Sequence, residues 1–138
     1  MEYRRISASE TGKLWELHKA YKAAIREDSP SDADRERLEE AIRDGRIRFY
    51  GAWDGDELAG CCSVAIGFST FNYAECGTFE DFYIVPRYRH QGIARELVRL
   101  ARTESGVSSL TVGCADCDKA MYTALGFTVL LGNLLAYD

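Results

Sequence analysis

The first feature that suggests chemistry is a carboxylate within an apolar strand. Residues 76–85 are rich in aromatic and β-branched side chains, which predicts a strand. Glu80 alternates there with Thr78, Phe82 and Ile84 and is predicted to share their face, with Asp81 on the opposite face. A carboxylate among apolar residues is costly to desolvate unless it is paired or functional. Glu80 is therefore a candidate general base, or alternatively a rim carboxylate that binds a cation or pairs with an arginine.

The turn after this strand predicts an anion site. Pro86 ends the strand, because proline cannot donate to a sheet ladder. Gly92 opens a helix, since apolar residues recur at helical spacing from Ile93 onward. The free N–H groups and the dipole of a helix N-terminus attract phosphate, and Arg89 and Arg95 add positive charge. The simpler alternative is a Gly-containing strand-to-helix turn with solvated arginines.

These residues resemble the GNAT superfamily of N-acetyltransferases. That family's acetyl-CoA pyrophosphate loop reads Arg/Gln-x-x-Gly-x-Gly/Ala, and this chain has Arg89-His90-Gln91-Gly92-Ile93-Ala94. The family's Tyr-x-x-x-Gly-Phe is matched by Tyr122-Thr123-Ala124-Leu125-Gly126-Phe127. The run Glu80-Asp81-Phe82-Tyr83 is most similar to the spermidine/spermine acetyltransferase branch. The close match covers residues 79–97 and 121–127, while the order of elements fits nearly the whole chain.

The resemblance implies acetyl-CoA as a co-substrate and assigns roles to residues. Glu80 would take a proton from the acceptor amine. Tyr122 would give a proton or a hydrogen bond to the departing CoA thiolate, the alternative being a packed core aromatic. The family often has an asparagine seven residues before this tyrosine, where this chain has Ala115. The expected cofactor-binding residues are Phe82, Tyr83, Ile84, Arg89, His90, Gln91, Gly92, Ile93, Ala94 and Arg95.

Composition limits the classes of function. At 138 residues the chain is expected to form one domain, residues 1–138, with a core that needs no disulfides. The net charge of −5 disfavours nucleic acid as a partner and suits a cationic substrate. Five cysteines, two of them adjacent, do not fit a disulfide framework, so reduced thiols in the cytoplasm are expected. We expect no metal, because Cys114 and Cys117 lack a second ligand pair, and no run long enough to span a membrane.

The pattern of elements predicts an α+β fold in three layers. The order β-α-α-β-β-β-α-β-α-β-β is that of the GNAT fold. It gives a mixed, mostly antiparallel sheet of six or seven strands, flanked by about four helices, whose parallel central strands splay apart. The first helix is predicted at 9–27, and Ser31 and Asp34 cap the second. The late elements are predicted as a strand at 109–114, a helix at 118–125, and strands at 127–131 and 134–137.

Together these features predict an acetyl-CoA-dependent N-acetyltransferase that acts on a primary amine of a small, cationic molecule. Polyamines, aminoglycosides, amino acids and amine-bearing toxins all remain open as acceptors, and a homodimer is allowed. Two rival functions remain. One is a non-catalytic acyl-CoA sensor or partner-binding module, and the other is an acetyltransferase for protein N-termini or lysines. Retention of both Glu80 and Tyr122 favours catalysis over sensing.

Overall fold

The structure is a computed structural model that describes all 138 residues. Its helices and strands follow one another along the chain as β1 (Glu2–Ile6), α1 (Thr11–Ala24), α2 (Asp32–Arg43), β2 (Ile47–Asp54), β3 (Glu57–Ser69), β4 (Ala74–Ile84), α3 (Ile93–Glu104), β5 (Leu110–Thr111) and α4 (Lys119–Ala124). Short 3₁₀ turns precede α1, α3 and α4. None of the helices has both the length and the apolar character needed to cross a membrane.

One mixed sheet forms the centre of the molecule. Its strand order is β1-β2-β3-β4-β5, antiparallel from β1 to β4, with β5 parallel to β4. The predicted run of three consecutive strands therefore forms an antiparallel meander of β2, β3 and β4, and the predicted parallel pairing of the central strands is confirmed. Parallel neighbours need a crossover connection, and α3 provides it between β4 and β5.

The predicted count of six or seven strands is wrong, because the sheet has five. β5 covers only Leu110–Thr111 of the predicted 109–114, and residues 127–131 and 134–137 are not strands. Their composition favours extended structure, but a strand also needs an edge with which to pair. β5 diverges from β4 after two residue pairs, and the tail makes no ladder with it.

Local sequence determines where the first two helices begin. The Glu10 carboxylate accepts a hydrogen bond from the Ser7 N–H at 2.9 Å and closes a 3₁₀ turn at Ala8–Glu10, from which α1 continues. Ser31 accepts a hydrogen bond from the Asp34 N–H at 3.2 Å, and the Asp34 carboxylate accepts one from the Ser31 N–H at 2.9 Å. α1 ends at Ala24, short of the predicted 27, because Arg26 adopts a left-handed φ of 61°.

Two apolar clusters cover the two faces of the sheet. On one face, Leu97 and Ala101 of α3 pack with Val64, Phe79 and other residues of the central strands. On the other face, Leu14 of α1 and Ile42 of α2 pack with residues of β2 and β3. Leu14, Leu97, Ala101 and Val64 are each 0% exposed, so the sheet is held rigidly where it carries the site.

Gly77 should be needed where β5 meets β4. A Cβ there would lie 2.5 Å from Val64 Cγ1 and 3.2 Å from Val107 Cγ1, which is overpacking of a buried site. We expect Gly77→Ala to lower the free energy of unfolding by about 1–3 kcal/mol in urea denaturation followed by circular dichroism. Gly12→Ala, in α1 with open space around the new methyl, is the control and should stabilise by about 0.5–1 kcal/mol. Equal stability of Gly77→Ala and wild type would contradict the tight packing.

Candidate active site

The site begins where β4 and β5 separate. The two strands pair only at Gly77 with Leu110 and at Thr78 with Thr111, whereas β4 continues to Ile84. This confirms the predicted splay of the parallel strands. The Val85 N–H donates to the Ala59 carbonyl on the β3 side. Neighbouring residues of a strand direct their N–H groups to opposite edges. Because the Val85 N–H faces β3, the N–H groups of Ile84 and Phe82 face the gap left by β5.

The turn before α3 presents a row of free backbone donors. None of the six N–H groups from residue 90 to residue 95 donates to a carbonyl of the protein, and the helical ladder begins with the Glu96 N–H on the Gly92 carbonyl. Gly92 has φ 83° and His90 has φ 63°, so both lie in the left-handed region. A Cβ on Gly92 would meet nothing within 4 Å. The glycine is therefore required by backbone conformation, and the space before the helix is open to an anion.

The sequence predicted that Arg89 and Arg95 both add positive charge to the anion site. In the structure the two arginines have different roles. The Arg89 Nε donates to the Ile84 carbonyl at 2.9 Å, and its guanidinium lies 5.6 Å from the centre of the Tyr83 ring. Arg89 is thus tied to the end of β4 and orders the turn. Arg95 is exposed on the first turn of α3 and has no carboxylate partner. Its charge is free to add to that of the helix N-terminus.

A bulge in β4 corrects the predicted orientation of the carboxylates. Ser63 pairs with Glu80 and Cys61 pairs with Tyr83, so β4 has one residue more than β3 across this interval. Asp81 adopts φ 52°, and its Oδ2 accepts a hydrogen bond from the buried Ser63 Oγ at 2.6 Å. Directly paired residues share a face, so Glu80 and Asp81 lie together on the Ser63 face.

The bulge also shifts the alternation beyond it. Phe82 and Ile84 pack with the α3 cluster, together with Phe79, and not on the face of Glu80. Tyr83 packs with the α1 and α2 cluster instead. The prediction that Glu80 shares its face with Phe82 and Ile84 is therefore wrong, and so is the prediction that Asp81 faces away from Glu80.

Glu80 is placed to hold a proton more readily than an isolated carboxylate. Burial raises the pKa of Glu80 above its ordinary value, the neighbouring Asp81 carboxylate raises it further, and Lys22 lowers it in part. Two negative charges side by side disfavour each other's ionised forms. A carboxylate with a raised pKa accepts a proton near neutral pH more readily than an ordinary glutamate does.

Tyr122 occupies the opposite side of β4. Its ring lies 6.3 Å from the Phe82 ring and 5.9 Å from the Phe127 ring, measured between centroids. Gly126, at φ 116°, turns the chain after α4 so that the Phe127 N–H donates to the Tyr122 carbonyl. The hydroxyl has no partner within the protein. Burial raises the pKa of Tyr122, with Asp118 adding to the effect, so the phenol stays protonated well past neutral pH.

A single cleft of about 1970 Å³ joins these groups. Thr78 to Ile84 form one wall, the segment after β5 and α4 form another, and the turn before α3 closes one end. Of the predicted site residues, all except Gln91 and Arg95 line it; these two are exposed beside it. Glu80 and Tyr122 reach it from opposite faces of the sheet, so a molecule in the gap between β4 and β5 would lie between them. No three His, Cys, Asp or Glu side chains are grouped to hold a metal ion.

Sequence reasoning missed the contribution of α1 to the cleft. Tyr21 and Lys22 line it, and the Tyr21 ring lies 6.2 Å from the Tyr83 ring. Tyr21 falls on the apolar face of α1, so nothing in its local pattern distinguishes it from a core residue. The role of Ser63 was missed for a similar reason, since a buried serine in β3 shows its function only when its partner across the sheet is known.

Comparison with known proteins identifies the class. The sequence model of the acetyltransferase (GNAT) family matches residues 13–127, so the chain belongs to this family of acetyltransferases. No curated protein sequence matches it significantly.

Solved structures share the fold at low sequence identity. An aminoglycoside acetyltransferase from an uncultured soil metagenomic sample, in complex with sisomicin, is 15% identical with a TM-score of 0.85, over 99% of this chain and 94% of that one. Glucosamine-6-phosphate N-acetyltransferase from Arabidopsis thaliana is 19% identical with a TM-score of 0.75, over 99% and 97%. A predicted acetyltransferase with acetyl-CoA from Clostridium acetobutylicum is 17% identical with a TM-score of 0.73, over 99% and 95%.

Asp81 should determine part of the proton affinity of Glu80. In Asp81→Asn the amide keeps the size of the side chain and tolerates the left-handed backbone, but the negative charge is gone. Ionisation of Glu80 then becomes easier, so its pKa should fall towards the ordinary value. Carboxyl ¹³C NMR titration measures this directly. Asp56→Asn, in the exposed hairpin between β2 and β3, is the control and should leave the Glu80 pKa unchanged. An unchanged Glu80 pKa in Asp81→Asn would show that the two charges do not interact.

Proposed function

We propose that this chain is an acetyl-CoA-dependent N-acetyltransferase that acetylates a primary amine of a small, cationic molecule. The observation that carries the proposal is the row of six free N–H groups before α3, which opens onto the same cleft as Glu80 and Tyr122. An anion site and two groups suited to proton transfer thus share one space. Acetyltransferases of this family use acetyl-CoA, which supplies an acetyl group activated as a thioester.

The turn before α3 fits a diphosphate. Six donors without protein partners, an open approach at Gly92 and the free charge of Arg95 suit an anion with several oxygens. The backbone N–H groups of Phe82 and Ile84 face the gap farther along β4. In the reaction they would donate to the oxygen on which negative charge develops.

The β4 wall of the cleft suits an ammonium group. Glu80 and Asp81 give this wall negative charge, and the net charge of −5 extends that sign to the whole molecule. Only the neutral amine attacks a thioester, so the site must bind a cation and accept its proton. Glu80 would do both. The Glu80–Asp81 pair is compatible with an acceptor of the polyamine type, as the resemblance to the spermidine/spermine branch implied, and with aminoglycosides.

Tyr122 would assist departure of the thiolate. A thiol has a pKa of about 8.5 and a phenol about 10, so a protonated tyrosine can donate to a sulfur that is leaving a desolvated site. The presence of Glu80 and Tyr122 in one cleft supports catalysis over a purely sensing role. A cytoplasmic location is part of the proposal and is supported by five cysteines that are all free thiols, two of them exposed.

Acetyl-CoA consumption tests the proposal. Thiol release should be observed with at least one member of a panel of polyamines, aminoglycosides, amino acids and lysine peptides. Gly92→Glu should bind CoA more than about 100-fold more weakly by calorimetry, because a carboxylate would occupy the anion's approach. Gly106→Glu is the matched control: Gly106 is also left-handed and open, but lies at the far end of α3, so CoA affinity should be retained. Wild-type CoA affinity in folded Gly92→Glu would refute the diphosphate assignment.

Glu80→Gln should reveal whether Glu80 accepts the proton of the acceptor. The substitution keeps the size and removes the basicity, so kcat/KM should fall at neutral pH. It should recover partly at high pH, where more amine is already neutral, since aliphatic amines have pKa values of about 10.4. Because the pKa of Glu80 is raised, the acid limb of the wild-type profile should lie above the ordinary carboxyl range. A deficit in KM that is equal at all pH values would instead indicate simple cation binding.

Tyr122→Phe should show a different pH dependence from Glu80→Gln. Loss of the phenol affects the leaving sulfur and not the amine, so kcat should fall on the order of 10²-fold without recovery at high pH. Calorimetry should show nearly unchanged CoA affinity. A variant as fast as wild type in single-turnover experiments would mean that the hydroxyl takes no part in the chemistry.

A further inference from the structure

The hairpin between β2 and β3 brings two carboxylates together. Asp54 and Glu57 pair directly across the end of the hairpin, and Gly55 in the turn between them has φ 60°. Like charges directly opposite each other in an antiparallel pair are destabilising. Such a pair is tolerated when a hydrogen-bond donor or a positive charge lies against the two carboxylates. In this molecule both come from the turn before α3.

The shared partner of the two carboxylates is Tyr88. Its hydroxyl lies 2.8 Å from Asp54 Oδ2 and 2.8 Å from Glu57 Oε2. The Arg87 guanidinium pairs with Glu57 Oε1 and lies 4.9 Å from the centre of the Tyr88 ring. A phenol has one proton for two carboxylates, and the arginine offsets the charge of Glu57. The side chains of Asp54, Glu57, Arg87 and Tyr88 are here called the hairpin clamp.

The hairpin clamp attaches the turn before α3 to a distant part of the chain. The other side-chain hydrogen bonds of this turn are local: Arg89 reaches back to the Ile84 carbonyl, and Gln91 donates to the Arg87 carbonyl at 3.2 Å. The bonds of the Tyr88 hydroxyl instead join residues that are 34 and 31 positions apart. The clamp therefore holds the turn against the β2–β3 hairpin, and through the hairpin against the sheet.

The clamp lies directly before the free backbone donors. Tyr88 is two residues ahead of His90, the first of the six free N–H groups. The left-handed φ of 63° at His90 is costly for a non-glycine residue and persists only where its surroundings fix it. The Tyr88 side chain lines the cleft together with Gly92 and packs against the apolar cluster beneath α3. Donors that are fixed before the ligand arrives bind it more tightly, because less ordering is needed on binding.

We propose that Tyr88, held by Asp54 and Glu57, is a positioning residue for the diphosphate of CoA. The hairpin clamp keeps the turn in the conformation that presents its free N–H groups to the cleft. This inference rests on the proposed function, since it concerns the site assigned there to CoA. By charge alone, two carboxylates close to an anion site would weaken binding of the anion. Their presence is explained if positioning of the turn contributes more to affinity than their charge costs.

Tyr88→Phe tests the proposal, because it keeps the ring and removes the hydroxyl. The Kd of CoA in calorimetry and the KM of acetyl-CoA should both rise about 10-fold, the effect of losing one hydrogen bond to a charged group. The kcat at saturating acetyl-CoA and the KM of the acceptor should stay unchanged, since Tyr88 touches neither reacting group. Thermal unfolding followed by circular dichroism should show that the variant is folded.

Two double variants of the hairpin separate positioning from charge. Asp54→Ala/Glu57→Ala removes both acceptors, so it should weaken CoA binding as Tyr88→Phe does, and adding Tyr88→Phe to it should cause no further loss. Asp54→Asn/Glu57→Gln removes the charges but keeps two acceptors for the phenol, so it should bind CoA at least as tightly as wild type. Asp56→Ala, exposed in the same turn and outside the clamp, is the control and should keep wild-type affinity.

Each outcome decides for or against the clamp. Wild-type CoA affinity in Tyr88→Phe, or tighter binding by the alanine pair, would overturn the proposal and leave the proposed function intact. A fall in kcat with an unchanged KM for acetyl-CoA would also overturn it, because the phenol would then act in the chemistry. Failure of the wild-type chain to bind CoA would instead overturn both this inference and the proposed function.

Discussion

The hydrogen bond between Ser63 and Asp81 is the interaction on which the site depends. It holds one extra residue in β4 opposite β3, with Asp81 in a left-handed conformation that a non-glycine residue adopts at some cost. The Cys61 thiol, donating to the Asp81 carbonyl at 3.6 Å, supports the same bulge from beneath. The bulge places two carboxylates side by side and directs the next free N–H groups of β4 towards the gap beside β5. The pair of carboxylates and the orientation of the free N–H groups thus follow from one irregularity in one strand.

The gap between β4 and β5 makes the site accessible from both faces of the sheet. Because β5 leaves β4 after two residue pairs, a molecule can occupy the plane of the sheet rather than lie on one face of it. Tyr122 then approaches from the face of α3 and α4, and Glu80 from the face of α1. In direct acyl transfer an amine adds to one face of the thioester carbonyl and the sulfur leaves from the tetrahedral adduct. One group beside the nitrogen and a separate group beside the sulfur would suit such a transfer between two bound substrates.

Stability and function conflict in this region. Like charges at Glu80 and Asp81 and six uncapped N–H groups before α3 are unfavourable in the free protein. They are tolerated because the sheet beneath is fixed by fully buried side chains of β2, β3 and α3. The exposed apolar segment after α4 is a further departure from an ordinary soluble surface. The paired carboxylates and the free N–H groups are explained if a ligand covers them.

The sequence by itself determined those parts of the site that depend on neighbours along the chain. Gly92 starts a helix with free donors because a left-handed residue and helical periodicity follow each other directly, and Gly126 returns Phe127 to Tyr122 within one turn. The order of elements, the meander and the parallel strand follow from similar local patterns. Only the tertiary structure decided the orientation of Glu80 and Asp81, the contribution of Tyr21 and the absence of strands after α4. These depend on the register between distant segments. One extra residue in a strand moves every side chain beyond it to the face opposite the one that alternation predicts.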